Sequence, residues 1–351
     1  MNGAAPRPVP SNDRRPLLDL FPSTPPPPTT ESFYGLREQP FSLSTDPKFL
    51  YHSAAHDTVA QKLLSAVRRR DPVVVVTGEV GLGKTILCRA VMEELDQRTV
   101  TAFVTGPLDS EEHLLTAMLV AFGVVEAEED GDARLENSSR EALLTALQHF
   151  LTSLVSLNAF AVVFVDEAQR LSADVFEEMR GLSEKADNAR QLQFVLVGQP
   201  ALAAVLRSRS LKAWAGRTPL MCELGPLAPQ EMVDYVSHRL SVAGANPQVD
   251  FTDDAAARIY ELSAGVPTVV NLLCDRALGL GSRILASDID VDLVNEAARE
   301  LDIATAESVG RWLRRAAIFV VALSALVLAG ALAAARAFHE PLSRLIVRWG
   351  G

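Results

Sequence analysis

Val73-Val-Val-Val-Thr-Gly78-Glu-Val-Gly-Leu-Gly-Lys-Thr85 is the stretch that decides the fold. The unbroken run Val73 to Val76 reads as a strand buried on both faces, as in the interior of a parallel sheet. It leads directly into a glycine-rich loop, and an apolar helical pattern follows. Strand, loop and helix in that order form a phosphate-binding loop in its proper setting. Gly78, Gly81 and Gly83 let backbone N–H groups crowd around a β-phosphate, with Glu79, Val80 and Leu82 completing the loop. Lys84 is expected to reach the β/γ oxygens, and the Thr85 hydroxyl to ligate Mg²⁺.

About eighty residues on, Phe160-Ala-Val-Val-Phe-Val165 reads as a second buried parallel strand, and it ends in Asp166-Glu167. With a phosphate loop upstream, Asp166 is expected to hold the metal's water shell. Glu167 is then positioned to polarise a water for in-line attack on a γ-phosphate. An acidic pair at a strand end is otherwise a solvated terminus. A small-molecule kinase has no use for the second carboxylate, so the pair points to ATP hydrolysis.

The 351 residues, 48% hydrophobic, suffice for a full core and more than one domain. Cys88, Cys222 and Cys274 stand far apart without metal spacing, which implies a reduced compartment without disulfides. Charge is unevenly spread. Residues 1–32 are neutral and residues 303–351 carry +4, so −15 falls on the body of a chain whose total is −11. Such a body argues against nucleic acid as a generic ligand, although a local basic groove is compatible with it.

The termini differ in kind. Nine of the twenty prolines lie in the first thirty residues, so 1–32 reads as a disordered, polyproline-like arm. Nothing near Met1 has the apolar core of a secretory signal. Ala316 to Ala335 is twenty residues without a charge, about 30 Å as a helix and long enough to cross a bilayer. Arg311, Arg314 and Arg315 precede it and Arg336 follows, so charge does not settle orientation. Chemistry does, because ATP and Mg²⁺ are cytoplasmic. The expectation is a basic linker at 303–315, one transmembrane helix at 316–336 and a short far-side tail at 337–351.

Between the termini, strands at 99–104, 160–165 and 193–197 alternate with helices, which predicts a parallel sheet sandwiched by helices over 33–225. The acidic segment 126–132 reads as a solvated loop. From Leu227 the pattern changes to helices opened by Pro229 and capped by Thr252, continuing at 266–280 and 291–301, so 226–302 reads as a helical lid.

A P-loop sheet followed by a helical lid is the plan of AAA+ ATPases, and the motifs make the resemblance specific. Phe33-Tyr-Gly-Leu-Arg-Glu-Gln-Pro-Phe41, Asp46-Pro47 and Phe49-Leu-Tyr51 resemble the opening signature of the general secretion pathway protein A family, whose relatives serve pili and exopolysaccharide loci. The likeness continues through the phosphate loop, Val165-Asp-Glu-Ala-Gln169, Leu196-Val-Gly-Gln-Pro200 and Ala264-Gly-Val-Pro267, covering about residues 33–302. It implies that Gln199 is the polar sensor touching the γ-phosphate or attacking water. It also implies that Arg217 is offered in trans to a neighbouring subunit's nucleotide, which requires a homo-oligomer. A strand-end cap and a surface salt bridge are the competing roles for these two residues.

Two departures stand out. Relatives commonly show Gly-x-Pro-Arg in the lid, where this sequence has Gly265-Val-Pro-Thr268, so the lid arginine that senses ATP is missing. The family also extends beyond its membrane helix into a peptidoglycan-binding region, and no such function is transferred here. The sequence therefore predicts a bacterial inner-membrane, single-pass AAA+ ATPase with a cytoplasmic catalytic part. It would assemble or regulate an envelope machine for secretion, pili or polysaccharide export, with inner-membrane proteins of that machine as partners. The rival reading is a nucleotide-dependent switch or DNA-associated regulator on the same plan.

Overall fold

The computed structural model describes residues 29–125, 139–184, 191–207, 218–244 and 248–303. Residues 1–28 of the arm, the acidic segment 126–132, Arg217 and the uncharged run 316–335 lie outside them. Among the described residues no helix is long and apolar enough to cross a membrane.

The central sheet comprises β1 (Val73–Thr77), β2 (Thr99–Val104), β3 (Phe160–Val165), β4 (Leu192–Gly198) and β5 (Leu220–Glu223), in the order β2-β3-β4-β1-β5. All neighbours pair in parallel. Every residue of β1, β3 and β4 is buried, which is why each reads as a continuous apolar run. The two-residue period divides each strand between two cores. Val73 and Val75 of β1 and Ala161, Val163 and Val165 of β3 pack with α4 (Glu111–Ala121), α5 (Arg140–Ser156) and α6 (Ala173–Glu184). Val74 and Val76, with Val162 and Phe164, pack on the opposite face with α2 (Ala54–Arg68) and α3 (Lys84–Glu94). Leu143, Leu147, Leu151 and Leu154 form the buried stripe of α5, at the spacing that keeps one helix face inward. Each such side chain contributes roughly 1.5–3 kcal/mol by leaving water. A charged replacement in β1 or β3 would have no exposed face to turn to.

After β4 comes the short α7 (Ala201–Leu206), and the helical unit follows β5 as α8 (Pro229–Ala243), α9 (Asp253–Ser263), α10 (Pro267–Arg283) and α11 (Val291–Glu300). Their starts are locally encoded. Pro229 and Pro267 occupy first-turn positions where no N–H is needed. Thr252 Oγ1 accepts from Ala255 N–H at 3.2 Å, and Asp290 Oδ1 from Leu293 N–H at 2.9 Å. Two short parallel strands, β6 (Asp250–Phe251) and β7 (Asp288–Ile289), tie the α8–α9 connection to the α10–α11 connection.

The chain's opening segment joins this helical unit. After α1 (Thr30–Phe33), Tyr34, Leu36, Phe41 and Phe49 are buried in one cluster with Tyr235, Leu240, Leu273 and Leu278. Backbone bonds fasten the strap, from Arg37 N–H to Ala243 O at 2.8 Å and from Gln248 N–H to Tyr34 O at 2.9 Å. Arg239 of α8 is 3% exposed and therefore needs full satisfaction. It donates to the carbonyls of Pro40 and Ser42 and to Tyr235 Oη, and its guanidinium lies 4.5 Å from the Phe49 ring centre.

Candidate functional site

The site forms where β1, β4 and β3 end side by side. Because β4 lies between the other two, the phosphate loop and the Asp166-Glu167 pair flank the Gly198-Gln199 turn. Gly78 N–H donates to Gly198 O at 3.2 Å, which locks the first loop residue to β4. Gly81 and Gly83 have φ of 85° and 89°, the left-handed region where a side chain is strained, and Gly83 caps the start of α3. The first turn of α3 thus opens towards the cleft with unpaired N–H groups and the positive end of its dipole, which suits an anion.

Lys84 is 7% exposed, and its Nζ donates to the carbonyls of Gly78 and Glu79, both at 2.8 Å. Burial pushes its ammonium below the ordinary lysine value, against the opposing charges of Asp166, Glu167 and Glu79. Thr85 Oγ1 donates to Asp166 Oδ2 at 2.6 Å, joining residues from β3 and α3. These two oxygens are hard donors of the kind Mg²⁺ prefers. Among the described residues no group of three or more His, Cys, Asp or Glu could hold a metal unaided. Two protein oxygens fit a cation that draws its remaining ligands from phosphate and water.

One cleft is lined by Val80, Gly81, Leu82, Gly83, Lys84, Thr85 and Glu167. Its far end is apolar, with Leu50, Tyr51, Ile86, Leu227 and Pro267, a wall suited to a flat ring. The loop carbonyls of Gly78 and Glu79 face Lys84, and Asp166 stands behind Thr85. Gln199 is one contact further away, where its backbone N–H meets Gln169 Oε1 at 3.0 Å. Arg217 lies outside the described residues.

Three further residues bear on the cleft. Thr268, at the start of α10, donates from both its N–H and its Oγ1 to Gly81 O, each at 3.2 Å, which docks the helical unit on the loop. Thr268 is thus a neutral clamp. His56 of α2 donates Nε2–H to Leu82 O at 3.1 Å and accepts from Ser53 at Nδ1 at 2.7 Å, which fixes the neutral tautomer. Burial pushes its pKa below the ordinary histidine value, despite the Leu82 carbonyl. Gln169 donates from Nε2 to Glu167 Oε2 at 2.7 Å. Sequence reading quotes Gln169 and Thr268 within motifs but assigns neither contact, and no local signal singles out His56.

A model of the AAA domain family matches residues 67–206. General secretion pathway protein A of Aeromonas hydrophila is 37% identical over 247 residues, which are 70% of this chain and 44% of that protein. The chain belongs to the AAA+ ATPases of the general secretion pathway protein A family. It spans less than half the length of that relative. Among solved structures, Cdc6p from Pyrobaculum aerophilum shares the fold with a TM-score of 0.59 at 14% identity, over 74% of this chain and 70% of its own. Drosophila ORC, solved bound to DNA, gives 0.56 at 16% identity over 87% of this chain and 72% of its own. These likenesses establish the P-loop α/β architecture with its parallel sheet.

Proposed function

We propose that the protein is a membrane-anchored ATPase that binds and hydrolyses Mg·ATP to assemble or regulate an envelope machine for secretion, pili or polysaccharide export. The observation that carries the hydrolase reading is the 2.6 Å hydrogen bond between Thr85 and Asp166, beside Lys84 and on the same cleft as Glu167. In this reading the loop N–H groups and Lys84 bind the β- and γ-phosphates, and the apolar wall takes the base. Thr85 and Asp166 would hold Mg²⁺, which when bound offsets charge on the phosphate oxygens. Glu167 orients a water and takes its proton as the water oxygen attacks the γ-phosphorus. The bond to the β,γ-bridging oxygen breaks and ADP leaves. Gln199 touches the γ-phosphate side, and Arg217 acts across a subunit boundary in a homo-oligomer.

The decisive test is Glu167→Gln in the full-length protein. Nucleotide affinity is expected to stay near wild type while phosphate release falls about 10²- to 10⁴-fold. Equal turnover removes Glu167 from the mechanism. The anchor and inner-membrane location are supported by the uncharged run 316–335 and by the relationship to a secretion protein. Deleting residues 316–351 should move the protein from the membrane fraction to the soluble one, and a full-length protein already soluble would refute the anchor.

A DNA-associated regulator is the second reading, favoured by the fold likeness to a structure solved with DNA. The −15 charge of the body weighs against it. DNA affinity falling steeply with added salt would reverse that preference.

A further inference from the structure

We propose that Gln169 is a positioning residue for the hydrolytic base: its side-chain amide bridges the Glu167 carboxylate to the end of β4 and holds that carboxylate in its working orientation. The inference rests on the hydrolase reading of Glu167.

Glu167 needs such a support. Its backbone is left-handed, with φ 53° and ψ 33°, a conformation that costs a non-glycine residue about 1 kcal/mol or more. The main chain is pinned there because Glu167 N–H donates to Asp166 Oδ1 at 2.8 Å. The side chain is a different matter, being 44% exposed and able to swing unless something holds it. Arg170 approaches the same Oε2 at 3.5 Å, but Arg170 is itself 77% exposed, and a surface pair of that kind fixes little.

Gln169 is built in on both sides. Its Nε2 donates to Glu167 Oε2 at 2.7 Å, and its Oε1 accepts from Gln199 N–H at 3.0 Å. Space for it is made by Gly198, where an added Cβ would fall 2.4 Å from Gln169 Oε1. Only a group that donates at one end and accepts at the other spans this gap, which is the property of an amide. A carboxylate of the same length still accepts from Gln199 N–H, but it gives Glu167 no donor and sets a like charge against it. The bridge also reaches the phosphate loop, since Gly198 O accepts from Gly78 N–H. Loop, β4 end and base therefore form one hydrogen-bonded row.

The experiment is steady-state ATP turnover by the full-length protein, with kcat and KM separated, for wild type, Gln169→Glu, Gln169→Ala and Gln169→Asn. Gln169→Glu is expected to leave KM for ATP within about twofold and to lower kcat about tenfold or more. Gln169→Ala should lower kcat with KM likewise little changed. Gln169→Asn, one methylene shorter, reaches one partner and not both, so it should fall between. Melting temperature and nucleotide affinity near wild type confirm that each variant is folded. Wild-type kcat in Gln169→Glu and Gln169→Ala overturns the inference while leaving Glu167 in place. Absence of phosphate release from the wild type overturns the hydrolase reading and the inference with it.

Discussion

The two walls of the cleft are built on opposite principles. The α/β wall gathers ionised and polar groups, Lys84, Thr85, Asp166 and Glu167, each anchored by backbone or side-chain bonds. The wall formed by the helical unit offers Leu227, Pro267, Thr268 and Asn271, and its cation, Arg239, is spent on the carbonyls of Pro40 and Ser42. Recognition of charge therefore belongs to one wall and enclosure to the other. The helical unit grips the loop through the neutral contacts of Thr268 with Gly81 O.

Graded substitutions test that division. In the proposed reading Lys84→Ala removes charge-assisted bonds to phosphate, each about 1.5–3 kcal/mol, so affinity measured by calorimetry should fall about 10- to 100-fold. A loss below about threefold would place charge recognition on the helical unit. Thr268→Val keeps the backbone bond to Gly81 O and loses the hydroxyl bond, a cost of about 1 kcal/mol in docking of the helical unit and roughly fivefold in affinity. An effect as large as that of Lys84→Ala would erase the contrast between the walls. The smallest effect is pH-dependent. His56 is neutral in the fold with its pKa pushed below the ordinary 6.5, and burial together with Arg239 pushes His238 the same way. The unfolded chain thus binds protons first as pH falls. Stability contributed by the neutral rings is present above about pH 6.5 and is lost as pH drops through and below it. Melting temperatures between pH 7.5 and 5.5 should show that decline, and His56→Ala should flatten it; a slope unchanged by the substitution would show that His56 carries none of the linkage.

These contacts also explain what a reader of the sequence sees and misses. β1 and β3 are evident because burial on both faces leaves an unbroken apolar run. The first helices of the helical unit are evident because Pro229 and Thr252 mark their starts. Pairing of Thr85 with Asp166 follows from parallel strands that end at one edge of the sheet. β5 is harder to see, since it is short and two of its four residues, Met221 and Glu223, are exposed. Packing of Tyr34, Phe41 and Phe49 with helices about two hundred residues away has no local signature at all. Nor does the bridge through Gln169, whose second partner arrives only when β4 pairs beside β3.

The strap from Tyr34 to Phe49 has a consequence for synthesis. It leaves the ribosome ahead of the surface that buries it, which begins with α8 at Pro229, roughly 180 residues later. At about 5–20 residues per second, Tyr34, Leu36, Phe41 and Phe49 wait exposed for some 10–40 s. The nascent chain carries a sticky aromatic leader through that interval, a ready target for holdase chaperones.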